Sequence, residues 1–108
     1  MDYSKDNLLT DFGKTTLKDR YLLPDETSPQ DAFMRAAKTF SDNEEMAERI
    51  YEYASDLWFM FSTPILSNAG TKRGMPISCF LNYVGDSRKG LTRHYTENAW
   101  LASVGGGI

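Results

Sequence analysis

Cysteine and histidine are scarce in this chain, which has one of each, Cys79 and His94, among its 108 residues. A single cysteine excludes an internal disulfide framework and a metal site built from several cysteines. Basic residues are not in excess, since 12 Lys and Arg stand against 15 Asp and Glu for a net charge of −3. That balance argues against a nucleic-acid-binding or membrane-surface-binding protein. Neither a secretion signal nor a membrane-spanning apolar run is recognisable, so we expect a cytoplasmic protein.

Hydrophobic residues make up 41% of the chain, as in ordinary folded proteins, and most of them recur at helical spacing. Residues 1–23 predict a short helical lead-in. Ser28, Pro29 and Asp31 form a helix start with a capping box, and a second start with Ser41 and Glu44 opens a predicted helix of about five turns to Phe61.

The character of the sequence changes after residue 62. Residues 62–74 contain proline, asparagine and glycine and predict a loop, whereas alternating apolar residues predict a strand over 76–84. Asp86 and Ser87 would cap a last helix to about Ser103, and three glycines follow at 105–107. A lone strand has no pairing partner, so these features predict part of a larger fold.

Several blocks together carry a family resemblance: residues 20–23 (RYLL), 28–31 (SPQD), 63–71 (TPILSNAGT), 78–81 (SCFL), 85–87 (GDS) and 105–108 (GGGI). In this order and spacing the chain resembles the start of the large, catalytic subunit of ribonucleotide reductases. The resemblance implies a mainly α chain. Residues 1–62 would form the helical N-terminal domain, and residues 63–108 would begin a ten-stranded α/β barrel with its first strand and helix.

The resemblance also implies roles at the substrate site. Cys79 would reduce the substrate ribose together with a second cysteine elsewhere, and the pair would end as a disulfide. Thr63 would hold substrate phosphate, Ser78 would contact the ribose, and the backbone at Gly106 and Gly107 would line the nucleotide. Glycine fits the last role because its backbone N–H groups can approach a ligand closely.

Further implied roles concern regulation and assembly. Asp86 and Ser87 would bind a deoxynucleotide effector, and the helix after them would pack across a dimer of large subunits. The parent enzyme would need a radical source, either a metal-containing small subunit or adenosylcobalamin, but no cofactor or metal site is expected in this segment. The second redox cysteine and the radical-carrying cysteine are absent, so the isolated chain is predicted to be inactive.

Several of these residues also have a purely structural interpretation. A lone cysteine on an apolar strand is commonly a small buried hydrophobe, Asp86 can be only a helix cap, and the triple glycine can be only a helix end. At the level of function, the leading hypothesis is a front segment of an interrupted reductase gene that works after splicing or by assembly with the remainder. The alternatives are a non-catalytic module for nucleotide binding or dimerisation and an inactive remnant.

Overall fold

The computed structural model describes residues 1–108, and its regular secondary-structure elements are all helices. A 3₁₀ helix at Tyr3–Leu8 precedes α1 (Asp11–Arg20), α2 (Pro29–Thr39), α3 (Glu44–Ser55), the short α4 (Thr63–Asn68) and α5 (Arg88–Ser103). None of these helices is long and apolar enough to cross a membrane.

The core lies where α2 packs against α3, with α1 and α4 closing it. Alanines at the contact let the helix axes approach closely. Phe33 fills the centre of the core, and its ring packs in a tilted orientation against that of Phe61, with 6.4 Å between the ring centroids. The core residues are Leu17, Ala32, Phe33, Ala36, Ala37, Tyr51, Ala54, Leu66 and Ala69. Because Leu66 and Ala69 belong to this core, packing continues across the predicted domain boundary at residue 62.

A buried polar network joins the 3₁₀ helix to this core. The Asp6 carboxylate accepts from the hydroxyl of Ser28 at 2.7 Å and from the amide of Gln30 at 2.9 Å. Tyr51 in turn donates to the Gln30 side-chain oxygen at 3.0 Å. Each of these polar groups is therefore satisfied inside the protein, which removes the cost of burying it.

The capping box at Ser28 and Asp31 is confirmed, and so is the last helix, whose N-cap is Ser87. The second predicted helix start was wrong by two residues, because Asn43 rather than Ser41 caps α3 through the backbone N–H of Met46. Its predicted end at Phe61 was also wrong. The chain leaves the helix after Ser55 through Leu57, whose φ of 61° lies in the left-handed region. Glycine is the usual residue in this conformation, so a leucine does not indicate a helix end in the sequence.

Two predictions after residue 62 need correction. Residues 63–68 form α4 rather than loop, because Pro64 suits the first turn of a helix and Gly70, at φ 70°, follows its end. Residues 76–84 do not form the predicted strand, since only one isolated parallel bridge, between Cys79 and Gly107, is present. A strand needs backbone partners along its length, and within residues 1–108 this segment forms bridging backbone hydrogen bonds only with Gly107, in the glycine bend at Gly105–Gly107.

Residues beyond α4 project from the helical core. The α5 helix has no buried residue, and the molecule extends 58 × 31 × 25 Å with a radius of gyration of 17.5 Å. A compact domain of this length would have a radius of roughly 13 Å. The exposed α5 therefore leaves large apolar side chains such as Tyr95 and Trp100 in solvent, at 69% and 72% exposure.

Candidate functional site

A cleft of about 810 Å³ opens between the start of α4, the loop after it and the end of α5. It brings together Thr63 and Ser78 with the first glycine of the bend, Gly105. The other lining residues are Ser62, Pro64, Ser67, Asn68, Arg73, Gly74, Met75, Ile77, Ser103 and Val104. Most of the lining residues are polar or glycine, and the volume of the cleft is that of a pocket for a small molecule such as a nucleotide.

Cys79 follows Ser78 of the cleft wall and lies beside the glycine bend, but Cys79, Gly106 and Gly107 do not themselves line the cleft. The backbone N–H of Phe80 donates to the Gly107 carbonyl at 2.8 Å, and the N–H of Gly107 donates to the Ser78 carbonyl. A Cβ atom at Gly107 would lie 4.0 Å from the Cys79 sulfur. The thiol is exposed, with the Ser78 hydroxyl 3.5 Å away. The plain reading of Cys79 as a small buried hydrophobe is therefore wrong.

The bend needs glycine at two positions for different reasons. Gly105 has φ 80°, a conformation that other residues adopt at a cost. At Gly106 a Cβ atom would meet the Phe80 ring at 2.6 Å and the Leu101 carbonyl oxygen at 3.0 Å. The N–H groups of Gly106 and Gly107 are already bonded to Leu101 and Ser78. These N–H groups are therefore not free to donate to a ligand. What the bend provides is a backbone without side chains, which a ligand can approach closely.

Thr63 begins α4 and is exposed at the cleft wall, where its side chain has a partner from a distant part of the chain. The Tyr21 hydroxyl lies 3.0 Å from the Thr63 hydroxyl, although 42 positions separate the two residues. At the other end of α4, Asn68 also lines the cleft, and it donates to the Met75 carbonyl at 3.0 Å, which ties the following loop to α4.

Asp86 and Ser87 lie at the N-terminus of α5, outside the cleft. The Ser87 hydroxyl accepts from the Gly90 N–H at 3.0 Å and so acts as a helix cap. Asp86 is exposed and its carboxylate makes no hydrogen bond or ion pair within the chain. The segment between Cys79 and this corner is held to α5 by Asn82, which donates to Asn98 at 2.7 Å.

Three residues of this region escaped the sequence analysis. Tyr21 contacts Thr63, Arg73 adds a cation to the cleft wall, and Arg35 binds the C-terminal end of α4 by donating to the carbonyls of Leu66 and Ala69 at 3.0 and 2.8 Å. No local pattern marks such contacts, because they depend on how distant helices pack. Residues 1–108 contain no group of three or more His, Cys, Asp or Glu side chains placed to hold a metal ion.

Comparison with known proteins gives consistent matches. The family model described as "Ribonucleotide reductase, all-alpha domain" matches residues 7–74. The ribonucleoside-diphosphate reductase large subunit of invertebrate iridescent virus 3 is 43% identical over 109 residues, covering all of this chain and 17% of that protein. The alpha subunit of the Helicobacter pylori enzyme is 37% identical over 105 residues, covering 89% of this chain and 13% of that protein.

A solved structure shares the fold as well as the sequence. The alpha subunit of the Actinobacillus ureae class Id ribonucleotide reductase superposes with a TM-score of 0.76 at 32% identity, covering 92% of this chain and 19% of that one. The chain thus spans less than a fifth of the length of these relatives. It belongs to the ribonucleotide reductase large-subunit family and contains that family's all-α domain.

Proposed function

We propose that this chain forms part of the catalytic large subunit of a ribonucleotide reductase, in which Cys79 is one of two thiols that reduce the substrate. One observation carries the proposal. The bridge between Cys79 and Gly107 holds an exposed thiol beside a glycine bend, at the edge of a nucleotide-sized cleft that Thr63 and Ser78 line. A backbone hydrogen bond at each neighbour of Cys79, at Ser78 and at Phe80, limits the movement of the residue, which a positioned reductant requires.

The chemistry needs two thiols because removing a ribose hydroxyl takes two electrons. The hydroxyl leaves as water, a hydrogen takes its place on carbon, and the two thiols become a disulfide. Cys79 supplies one thiol, and the other comes from outside this chain, since Cys79 is its sole cysteine. Thiol–disulfide exchange with a further dithiol then restores both thiols.

Substrate contacts are proposed on the wall of the same cleft. The Thr63 hydroxyl donates to a phosphate, and Ser78, next to the reducing thiol, contacts the ribose. Gly106 and Gly107 present backbone without side chains, so the nucleotide can lie against the bend. Because the named relatives are ribonucleoside-diphosphate reductases, we assign ribonucleoside diphosphates as the substrates.

The remaining assignments concern partners. Asp86 and Ser87 are proposed to contribute to a deoxynucleotide effector site at the start of α5, with α5 against a second large subunit. The α5 helix has no buried residue and exposes Tyr95 and Trp100, which supports a partner on this helix. The radical that starts the reaction is assigned to a metal-containing small subunit or adenosylcobalamin, outside this chain.

A hybrid subunit tests the proposal: the large subunit of invertebrate iridescent virus 3 with this chain in place of the segment that it matches. Combined with its radical-generating partner, the hybrid subunit should convert ribonucleoside diphosphates to deoxyribonucleotides. Cys79→Ser should abolish turnover, whereas Thr15→Ala, an exposed change on α1, should not. An active parental enzyme beside an inactive hybrid subunit, or full turnover by the Cys79→Ser variant, would contradict the proposal.

A further inference from the structure

We infer that Tyr21 is a positioning residue for nucleotide binding, which fixes the Thr63 hydroxyl as a hydrogen-bond donor toward the cleft. The inference rests on the proposed function, because it takes Thr63 as a contact of the nucleotide. The two hydroxyl oxygens lie 3.0 Å apart, and Thr63 lines the cleft, whereas Tyr21 does not. Tyr21 therefore acts through Thr63 rather than on the ligand.

The direction of this hydrogen bond decides what Thr63 can do. A threonine hydroxyl has one hydrogen to donate and two lone pairs to accept with. If Tyr21 donates, Thr63 accepts on a lone pair and keeps its own hydrogen for a phosphate oxygen, which can only accept. If Thr63 donated to Tyr21, its single hydrogen would be used. An anionic ligand in the cleft therefore selects the arrangement in which Tyr21 is the donor.

One guanidinium group holds the Tyr21 backbone and the C-terminal end of α4, the helix that begins at Thr63. Arg35 donates to the Tyr21 carbonyl at 3.1 Å and, through its other terminal nitrogen, to the carbonyls of Leu66 and Ala69 at the end of α4. The Tyr21 N–H also donates to the carbonyl of buried Leu17 at 2.9 Å. Since α1 and α4 are thereby fixed relative to each other, the Tyr21–Thr63 distance is set by the core and not by the ligand.

Tyr21→Phe in the hybrid subunit removes the hydroxyl and keeps the ring. Losing one hydrogen bond that orients a donor should raise KM for the ribonucleoside diphosphate roughly two- to tenfold, with kcat unchanged. Tyr53→Phe is the matched control, because Tyr53 is half exposed and its hydroxyl makes no hydrogen bond, and it should leave KM unchanged.

A double-mutant cycle separates positioning from general support of the fold. With Thr63→Val the hydroxyl that Tyr21 orients is gone, so adding Tyr21→Phe should raise KM no further. With Thr63→Ser, which keeps the hydroxyl, Tyr21→Phe should still raise it. An equal rise in KM with and without the Thr63 hydroxyl would overturn the inference.

The cycle also distinguishes a failure of the positioning role of Tyr21 from a failure of the phosphate contact of Thr63. If Thr63→Val raises KM and Tyr21→Phe does not, the positioning role fails while the proposed phosphate contact stands. If Thr63→Val leaves KM unchanged, the phosphate contact assigned under the proposed function fails, and the positioning role fails with it.

Discussion

The guanidinium of Arg35 and the carboxylate of Glu26 form an ion pair with 2.6 Å between Nε and Oε1, and the two side chains are only 12% and 9% exposed. A second contact, from Arg35 to the other carboxylate oxygen, measures 3.2 Å. Because Arg35 also binds the end of α4, this pair connects the loop after α1 to the helix that carries Thr63. It is the electrostatic link between the helical core and the cleft.

Glu26→Gln should lower the free energy of unfolding by roughly 3 kcal/mol, because it leaves a nearly buried cation without its counter-charge. The expected value is at the low end for such changes, since Arg35 keeps three carbonyl acceptors. Urea unfolding followed by circular dichroism measures it. Glu45→Gln is the control: its partner Arg49 is 3.5 Å away and both side chains are largely exposed, so a loss of at most about 0.5 kcal/mol is expected. Equal losses in the two variants would contradict this account.

Stability should fall in acid partly through Asp31. Burial raises the pKa of this carboxyl, but hydrogen bonds from the N–H groups of Thr27 and Ser28 and from the Tyr3 hydroxyl outweigh it, and the net pKa lies below its usual value of 3.8. The folded state therefore binds the proton less tightly than the unfolded state. The stabilisation is complete above the unfolded pKa and is lost as the pH falls below it through the folded pKa.

Asp31→Asn should therefore reduce stability near neutral pH and flatten its decline between about pH 5 and pH 3. Urea midpoints at these pH values measure both effects. Asp25→Asn serves as the control, because its exposed side chain makes no hydrogen bond or ion pair. If the stability of the Asp31→Asn variant fell as steeply in acid as that of the unaltered chain, the Asp31 carboxylate would not be responsible for the decline.

Gly90→Ala should destabilise the start of α5, although alanine is normally favoured over glycine in a helix by about 1 kcal/mol. A Cβ atom at this position would lie 2.5 Å from the Gly85 carbonyl oxygen and 2.9 Å from its carbon, and backbone atoms cannot rotate away as a side chain does. Hydrogen exchange at the Gly90 amide, which is bonded to Ser87, should become faster.

Thr92→Ala gives the contrast on the same helix. This exposed position already carries a Cβ atom. Alanine removes the hydrogen bond from the Thr92 hydroxyl to the Arg88 carbonyl, but its higher helix propensity should still slow exchange. Slower exchange in both variants would mean that the backbone at Gly85 shifts without cost and does not constrain the start of α5.

Short sequence motifs predicted the starts of α2 and α5, because their capping hydrogen bonds join residues that are close in sequence. Ser28 with Asp31 and Ser87 before α5 are cap residues whose hydrogen bonds close within three positions, so a short window of sequence contains the whole interaction. Helix ends were predicted less well. The exit from α3 at Leu57 uses a left-handed turn without glycine, and Trp58 continues the apolar spacing beyond it.

The sequence indicated three residues of the candidate site, whose roles stay predictions, but it did not indicate the residues that support them. Thr63, Ser78 and Cys79 were identified because their sequence blocks resemble a known family, and the structure places all three at or beside one cleft. Tyr21 and Arg35 were missed because each acts across more than 30 positions on part of α4, as in the 42-residue separation between Tyr21 and Thr63. The strand at 76–84 failed because its pattern presupposes partners that residues 1–108 do not contain.

The redox role of Cys79 is tested most directly by its oxidation state after a single turnover. The reduced hybrid subunit, freed of external reductant, is given a ribonucleoside diphosphate, and remaining thiols are then alkylated and the Cys79 peptide is identified by mass spectrometry. The account predicts that Cys79 is found in a disulfide with a cysteine from outside this segment, in proportion to the deoxyribonucleotide formed. Product formation with Cys79 still a free, alkylated thiol would contradict it.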